Sequence, residues 1–93
     1  MDTYNEHRMA TRNELASIQG KKLAVGARQL KKALTAGKTK TVFLADNADP
    51  VITDPIAELC RRHEAQVLWV PTMVDLGRAC GIEVGATAAA AVE

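Results

Sequence analysis

The fold is decided by one stretch of the chain, KLAVGARQLKKALTAGKTKTVFLA (Lys22–Ala45). Its two ends, Lys22–Val25 and Thr41–Ala45, are apolar runs of strand length. Gly26 and Gly37 bracket the segment between them, in which apolar residues recur with the helical period. The stretch therefore predicts a strand, a helix that ends at Ala36, and a second strand.

The rest of the chain continues this alternation of helix and strand. A short helix is predicted over Thr11–Ser17, before the first strand. A third helix is predicted to begin at Pro55, because proline suits the first helical position and Asp54 can serve as its N-cap. A further strand over Val67–Val70 and a helix from Thr72 to Cys80 follow.

The last segment, Ala86–Val92, closes the chain and supplies the fourth strand. Ala88–Ala91 prefers helix intrinsically, so only a buried place in a sheet would make it extended. Strands that are apolar on both faces and alternate with helices predict an α/β fold, a three-layer α/β/α sandwich with a small four-stranded mixed sheet. We expect one domain over residues 1–93, with residues 1–10 flexible.

Composition excludes several classes of protein. Aromatic residues make up 3% of the chain, which argues against binding single-stranded bases by stacking. The formal net charge is +1, so any nucleic-acid site must be a local patch. Cys60 and Cys80 lack the paired spacing of a zinc site, and no catalytic motif is present, so we expect no metal, no cofactor and no enzymatic activity. No apolar run reaches the length of a membrane span and no signal peptide is evident, which favours the cytoplasm.

The start of the second helix carries the first candidate site. Gly26 and Ala27 lead into a helix whose first backbone N–H groups have no partner within the helix, and such an end attracts phosphate. The face opposite the apolar one carries Arg28, Gln29 and Lys32. The basic patch that they form is broadened by Lys31, Lys21 and Lys22. On composition alone, a solvated helix face is the favoured interpretation of these residues, and a nucleic-acid site is the alternative.

The second candidate site is LGRACGIEVGA (Leu76–Ala86). Its three glycines indicate a loop whose backbone is approached closely. Ile82 and Val84 would form an apolar surface feature there, or else begin the last strand and pack inward. Because the second arrangement could bury the carboxylate of Glu83, the irregular and partly exposed loop is favoured.

These segments together resemble the L7Ae/L30e family of RNA-binding proteins. The resemblance runs from about Gly20 to Val92 and is carried by VGARQLKKALTAG (Val25–Gly37), FLADNADP (Phe43–Pro50) and LGRACGIEVG (Leu76–Gly85). It is strongest to the short bacterial members of the family. The resemblance implies the same α/β/α sandwich, and a monomer that binds a kink-turn, an RNA helix–bulge–helix with tandem sheared G·A pairs.

The family pattern implies roles for particular residues. Arg28 and Gln29 stand where archaeal members have Asn and Glu, which read guanine edges, and Lys32 retains the family's lysine. The last loop of the family covers a flipped-out nucleotide. The site implied by the resemblance consists of Gly26, Ala27, Arg28, Gln29, Lys31, Lys32, Asp49, Ile82, Glu83 and Val84.

The resemblance leaves two classes of function open. The first is a protein that binds structured RNA with a kink-turn, such as ribosomal RNA or a riboswitch, with no small-molecule substrate and no membrane partner. The second is an L30e-like protein-interaction module without specific RNA binding. The basic helix with Gln29 beside the Ile82–Val84 loop favours the first.

Overall fold

The computed structural model describes residues 7–93, and within them it has four helices and four strands in one sheet. The helices and strands alternate, in this order: α1 (Arg12–Ala16), β1 (Leu23–Val25), α2 (Ala27–Thr35), β2 (Thr41–Ala45), α3 (Pro50–Arg62), β3 (Gln66–Val70), α4 (Met73–Cys80) and β4 (Ala88–Ala91).

The sheet is mixed, with the strand order β1-β4-β2-β3. β4 is antiparallel to both of its neighbours, and β2 is parallel to β3. β1, β2 and β3 therefore end at the same edge of the sheet, where β4 begins. We call this edge the upper edge, and the opposite edge the lower edge.

Helices cover both faces of the sheet, and each face has its own core. α2 and α3 pack on one face, where Leu30, Leu34 and Ile56 are almost fully buried. α1 and α4 cover the other face, where Ile18 and Leu76 pack against the sheet. The predicted three-layer sandwich with a four-stranded mixed sheet is thus confirmed.

The alanine-rich end of the chain is a strand in the middle of the sheet. Ala88, Ala89 and Ala90 have no exposed surface and lie between β1 and β2. Pairing of the backbone with a strand on each side outweighs the helical preference of alanine, because buried N–H and C=O groups must find partners. The methyl side chains also fit between two layers of helices.

The third helix begins at Pro50, so the prediction that it begins at Pro55 with Asp54 as its N-cap is wrong. Asp49 is the N-cap, and its carboxylate accepts a hydrogen bond of 3.0 Å from the N–H of Val51. Pro50 occupies the favoured first position, and Pro55 lies inside the helix, where its missing N–H costs one helical hydrogen bond. Asp49-Pro50 and Asp54-Pro55 both fit the start of a helix, and α3 begins at the first of the two pairs.

The N-terminal segment runs along the outer edge of β3. The N–H of Trp69 donates to the carbonyl of Arg8 at 2.9 Å, and the N–H of Ala10 donates to the carbonyl of Trp69 at 2.7 Å. The imidazole of His7 stacks on the Trp69 ring with 3.9 Å between centroids, and it contacts the carboxylate of Asp46 at 2.8 Å. Of the ten residues expected to be flexible, the six that precede His7 lie outside the described part, and the others contact β3.

Candidate nucleic-acid interface at the upper edge

The start of α2 is open to an external anion. Gly26 is its N-cap, with φ of 93°, and no side chain caps the first turn. The other three helices of residues 7–93 are capped by the side chains of Thr11, Asp49 and Thr72. The first turn of α2 also has no acidic residue. Its free N–H groups therefore retain their capacity to bind a phosphate.

The outer face of α2 is polar and basic. Leu30, Ala33 and Leu34 are buried against the sheet, and Ala27 is half-buried. The four exposed polar side chains of the first two turns are Arg28, Gln29, Lys31 and Lys32. Arg and Gln can make two-pronged hydrogen bonds to base edges, whereas Lys neutralises phosphates.

The loop between α4 and β4 runs back along α4 toward the upper edge. The N–H of Ile82 donates to the carbonyl of Gly77 at 3.0 Å, and the N–H of Ala86 donates to the carbonyl of Met73 at 3.0 Å. Gly85 packs so closely on Met73 that a Cβ there would come within 3.0 Å of the Met73 Cβ. The loop is therefore fixed to the helix at both of its ends.

The fixed loop presents its residues in different directions. Val84 is 71% exposed, Glu83 is exposed, and Ile82 is half-buried against the core on the α4 side. The loop is irregular and β4 begins only at Ala88. The side chain of Val84 thus forms an apolar surface on a loop that two hydrogen bonds tie to α4, while Ile82 packs toward the core.

Hydrogen bonds bring the start of α2 and this loop to the same edge. The N–H of Gly26 donates to the carbonyl of Ala88 at 2.8 Å, and the N–H of Ala45 donates to the carbonyl of Thr87 at 2.9 Å. The segment after the loop therefore lies between the ends of β1 and β2, next to the start of α2.

The turn between β2 and α3 lies at the upper edge as well. The side-chain carbonyl of Asn47 accepts a hydrogen bond of 2.8 Å from the N–H of Met73, which ties this turn to the start of α4. Asp49 is exposed in the same turn, with its carboxylate engaged in capping α3. The ten residues that the sequence singled out are thus distributed over the start and outer face of α2, this turn, and the α4–β4 loop on the other face of the sheet.

Two residues that support this edge escaped the sequence analysis. The local pattern around Asn47 indicates only a turn, although its side chain accepts a hydrogen bond from the first residue of a helix 26 positions away. Gly77 was noted only as one of three loop glycines, although it lies inside α4 and is buried there. An isolated glycine inside a helical pattern is a signal of close backbone approach. It could have identified the contact between Gly77 and the α4–β4 loop.

Lys21 and Lys22, which the sequence placed beside the start of α2, lie at the opposite edge. The carbonyl of Lys22 accepts a hydrogen bond of 2.9 Å from the N–H of Val92, beyond the far end of β4. Gly26 is bonded to Ala88, at the near end of β4. The whole length of β4 thus separates the two lysines from the upper edge, because β1 and β4 are antiparallel.

The described residues offer neither a metal site nor a membrane span. No group of three or more His, Cys, Asp or Glu side chains in residues 7–93 is placed to hold a metal ion. None of the helices in that range is long and apolar enough to cross a membrane.

The α/β/α sandwich with this strand order and the uncapped, basic start of α2 agree with what the comparison with known families shows. The chain belongs to the ribosomal protein L7Ae/L30e/S12e/Gadd45 family, whose model matches residues 8–93. It is similar to an RNA-binding protein of Geobacillus sp. (strain WCH70), with 40% identity over 75 residues, which is 81% of this chain and 92% of that protein. It is also similar to the RNA-binding protein YbxF of Geobacillus stearothermophilus, with 34% identity over 73 residues, 78% of this chain and 89% of that protein.

A solved structure shares the fold. The Giardia lamblia 15.5kD RNA binding protein superposes with a TM-score of 0.76 and 23% sequence identity, covering 100% of this chain and 84% of that one. At this level of identity the likeness concerns the fold.

Proposed function

We propose that this protein binds structured RNA and recognises a kink-turn through its upper edge. The observation that carries the proposal is that the uncapped start of α2 and the segment that leaves the fixed Ile82–Gly85 loop meet at that edge. The hydrogen bond from Gly26 to Ala88 links them. Membership of the family and the printed names of the bacterial relatives support RNA as the ligand.

The two parts of the edge have complementary chemistry. The free N–H groups after Gly26 bind phosphate, and Arg28 and Gln29 hydrogen-bond to the edges of the sheared G·A pairs. Gln29 offers an amide oxygen to guanine N–H groups without the charge of a carboxylate. Lys31 and Lys32 neutralise phosphates beside the kink.

The α4–β4 loop binds the nucleotide that the kink turns outward. The exposed side chain of Val84 packs against the flipped base, and the fixed backbone of the loop lets the base approach without rearrangement. Glu83 adjoins Val84, and Asp49 belongs to the turn that Asn47 ties to the start of α4; either carboxylate can accept hydrogen bonds from base N–H groups. A preformed surface of this kind reduces the entropy lost on binding.

The test is a gel shift with a kink-turn RNA and a control in which the G·A pairs are replaced by Watson–Crick pairs. We expect tighter binding to the intact kink-turn. Equal affinity for both RNAs, and for plain duplex RNA, would contradict kink-turn recognition. The partner we propose is ribosomal RNA or a riboswitch in the cytoplasm, bound by the protein without catalysis.

A protein partner at the same edge is the second candidate. Val51 in the first turn of α3 and Val74 in the first turn of α4 are 78% and 55% exposed, which gives the edge further apolar surface. A domain that binds RNA alone does not need these side chains. Loss of a co-purifying protein on Val51→Asp/Val74→Asp, with kink-turn binding retained, would support this candidate.

A further inference from the structure

The charges of this chain are strongly segregated along the sequence. Residues Leu15–Ala45 contain seven lysine and arginine residues and no acidic residue, although the chain as a whole has 12 cations and 11 acids. All seven cationic side chains are exposed. Among residues 7–93 none of the seven pairs with a carboxylate, whereas Arg8, Arg61 and Arg62 do. The seven are therefore available to an external anion.

Only three of these cations belong to α2, and the other four lie at the lower edge. Lys22, Lys38 and Lys40 have backbone carbonyls that accept hydrogen bonds from Val92, Glu93 and Gln66 at 2.9, 3.1 and 2.8 Å. Lys21 precedes Lys22. These bonds gather the four lysines where β1 and β2 begin and β4 ends.

Three of the lower-edge lysines surround a cleft. The cleft has a volume of about 600 Å³ and opens on the α1 side of the sheet. Lys21, Lys38 and Lys40 line it, above a floor that includes Phe43 and Leu68. The cleft arises because α1 has only five residues and leaves this part of the sheet face uncovered.

Two acidic residues also line the cleft, and the charge of one of them is balanced by an ion pair with Arg8. The carboxylate of Glu14 accepts hydrogen bonds of 2.8 Å from the Thr11 N–H and from the Arg8 guanidinium, which lower its pKa. Glu93, at the chain's last position, is the other acidic residue. The local balance therefore favours an anionic ligand.

We infer that the lower edge is a second RNA-backbone site, so that one molecule holds two separate stretches of RNA. This inference rests on the proposed function at the upper edge. The two edges are separated by β2, which spans roughly 17 Å at about 3.4 Å per residue. A kink and its immediate neighbours occupy the upper edge, and the lower-edge lysines contact phosphates beyond them.

The character of the lower edge favours RNA over an acidic protein. The five large hydrophobic side chains that are exposed in residues 7–93 are Met9, Val51, Ile52, Val74 and Val84, and none of them lines the cleft. Protein interfaces depend on apolar anchors at their centre, whereas an RNA backbone needs mainly cations. Arg28, Lys31 and Lys32 belong to the same basic segment of the sequence, on the face of the sheet that α2 covers.

The test compares the triple variant Lys21→Gln/Lys38→Gln/Lys40→Gln with Arg61→Gln/Arg62→Gln/Arg78→Gln, which removes the same charge from α3 and α4. The RNA affinity of both variants is measured with a compact kink-turn and with kink-turns in which either stem is lengthened. Binding of a labelled duplex to the complex with the compact RNA is measured as well. The lengthened stems and the added duplex distinguish a second contact within one RNA from a contact with a separate RNA.

On the compact kink-turn, the triple variant should bind as well as the control variant. On the RNA that reaches the lower edge it should bind on the order of tenfold more weakly, and the salt dependence of log K should become shallower by about 2 to 3. Equal affinities and equal slopes of the two variants on every RNA would overturn the inference.

A separate measurement covers the case in which the triple variant is misfolded. In wild-type protein, the amide resonances of Thr39 and Val92 should shift with the longer RNA and stay unchanged with the compact one. Shifts that are identical with both RNAs would count against the second site. If wild-type protein shows no preference for the kink-turn, the upper-edge proposal fails. The difference in affinity for long duplex RNA between the two variants then still tests whether the lower edge binds RNA.

Discussion

The backbone carbonyl of Val84 lies directly over Gly77, at a distance that leaves no room for a side chain there. Gly77 is inside α4, where glycine is intrinsically unfavourable by about 1 kcal/mol relative to alanine. Its presence is explained by this contact, because any Cβ would overlap with the oxygen. One helical position thus determines how closely the α4–β4 loop approaches α4.

Gly77→Ala should therefore destabilise the domain although it improves helix propensity. We expect a net loss of about 1–3 kcal/mol, as is typical of overpacking, with faster amide exchange at Ile82 and Ala86. Urea unfolding and hydrogen exchange measure both effects, and Arg78→Ala, an exposed change on the same helix, is the control. A variant more stable than wild type would show that the loop yields without cost.

Gln29→Ala should impair RNA recognition and leave folding intact. The side chain is exposed, and a lost two-pronged contact to a base edge costs roughly 1–3 kcal/mol. Gel shifts with the kink-turn and thermal unfolding give the two quantities, and Gln19→Ala, at another exposed glutamine, is the control. Gln29→Glu should retain recognition, because a carboxylate accepts the same hydrogen bonds. Unchanged kink-turn affinity of Gln29→Ala would remove this residue from the site.

Val84→Asp should weaken binding of the kink-turn strongly while the melting temperature changes little. At 71% exposure the side chain contributes little to the core, but a carboxylate beside the flipped base would repel the RNA backbone. Val84→Thr, which keeps the shape of the side chain, should have a kink-turn affinity between those of Val84→Asp and wild type. A large fall in melting temperature with RNA affinity intact in the folded fraction would assign Val84 to the core.

The two cysteines should differ in reactivity. Burial raises the pKa of Cys60 to about 11 and raises that of the half-buried Cys80 as well. At pH 8 the thiolate of Cys60, the reactive form, is then only about one part in a thousand. Iodoacetamide followed by mass spectrometry should label Cys80 first in the folded protein, and both cysteines at similar rates in urea. Preferential labelling of Cys60 in the folded protein would contradict its burial.

Stability should depend on pH through Glu14. The N–H of Thr11 and the guanidinium of Arg8 hold the pKa of this carboxyl below its ordinary value of 4.5. Its contribution is therefore present at neutral pH and is lost as the pH falls below 4.5 through the folded value. In urea unfolding at pH 7, Glu14→Gln should have a lower free energy of unfolding than wild type, and this difference should become smaller at pH 3. A constant difference would show that charge is unimportant there.

The sequence predicted the layers and the order of the elements because those follow from local patterns. The period of Leu30, Ala33 and Leu34 and the apolar run of β2 needed no long-range information. The extension of β4 depended on pairing with β1 and β2, so alanine's own preference was a poor guide. The start of α3 was mispredicted because Pro50 and Pro55 each satisfied a local rule.

The site was less accessible to prediction where it depended on contacts between distant residues. The exposed face of α2 follows from helical spacing. The bond from Asn47 to Met73 and the approach of the loop to Gly77 link separate segments and leave little trace in local pattern. The position of Lys21 and Lys22 was mispredicted because neighbours in sequence are separated by the length of a strand once β1 is extended.

The pairing of residues 7–10 with β3 bears on how the protein can be handled. Without that segment, the N–H and C=O of Trp69 would face solvent on an open strand, and open strands invite pairing with other chains. A cleavage site or fusion junction placed between His7 and Ala10 would therefore expose this strand edge and lower the solubility of the protein. A junction ahead of His7 would leave the cover of β3 in place, and with it the stacking of His7 on Trp69.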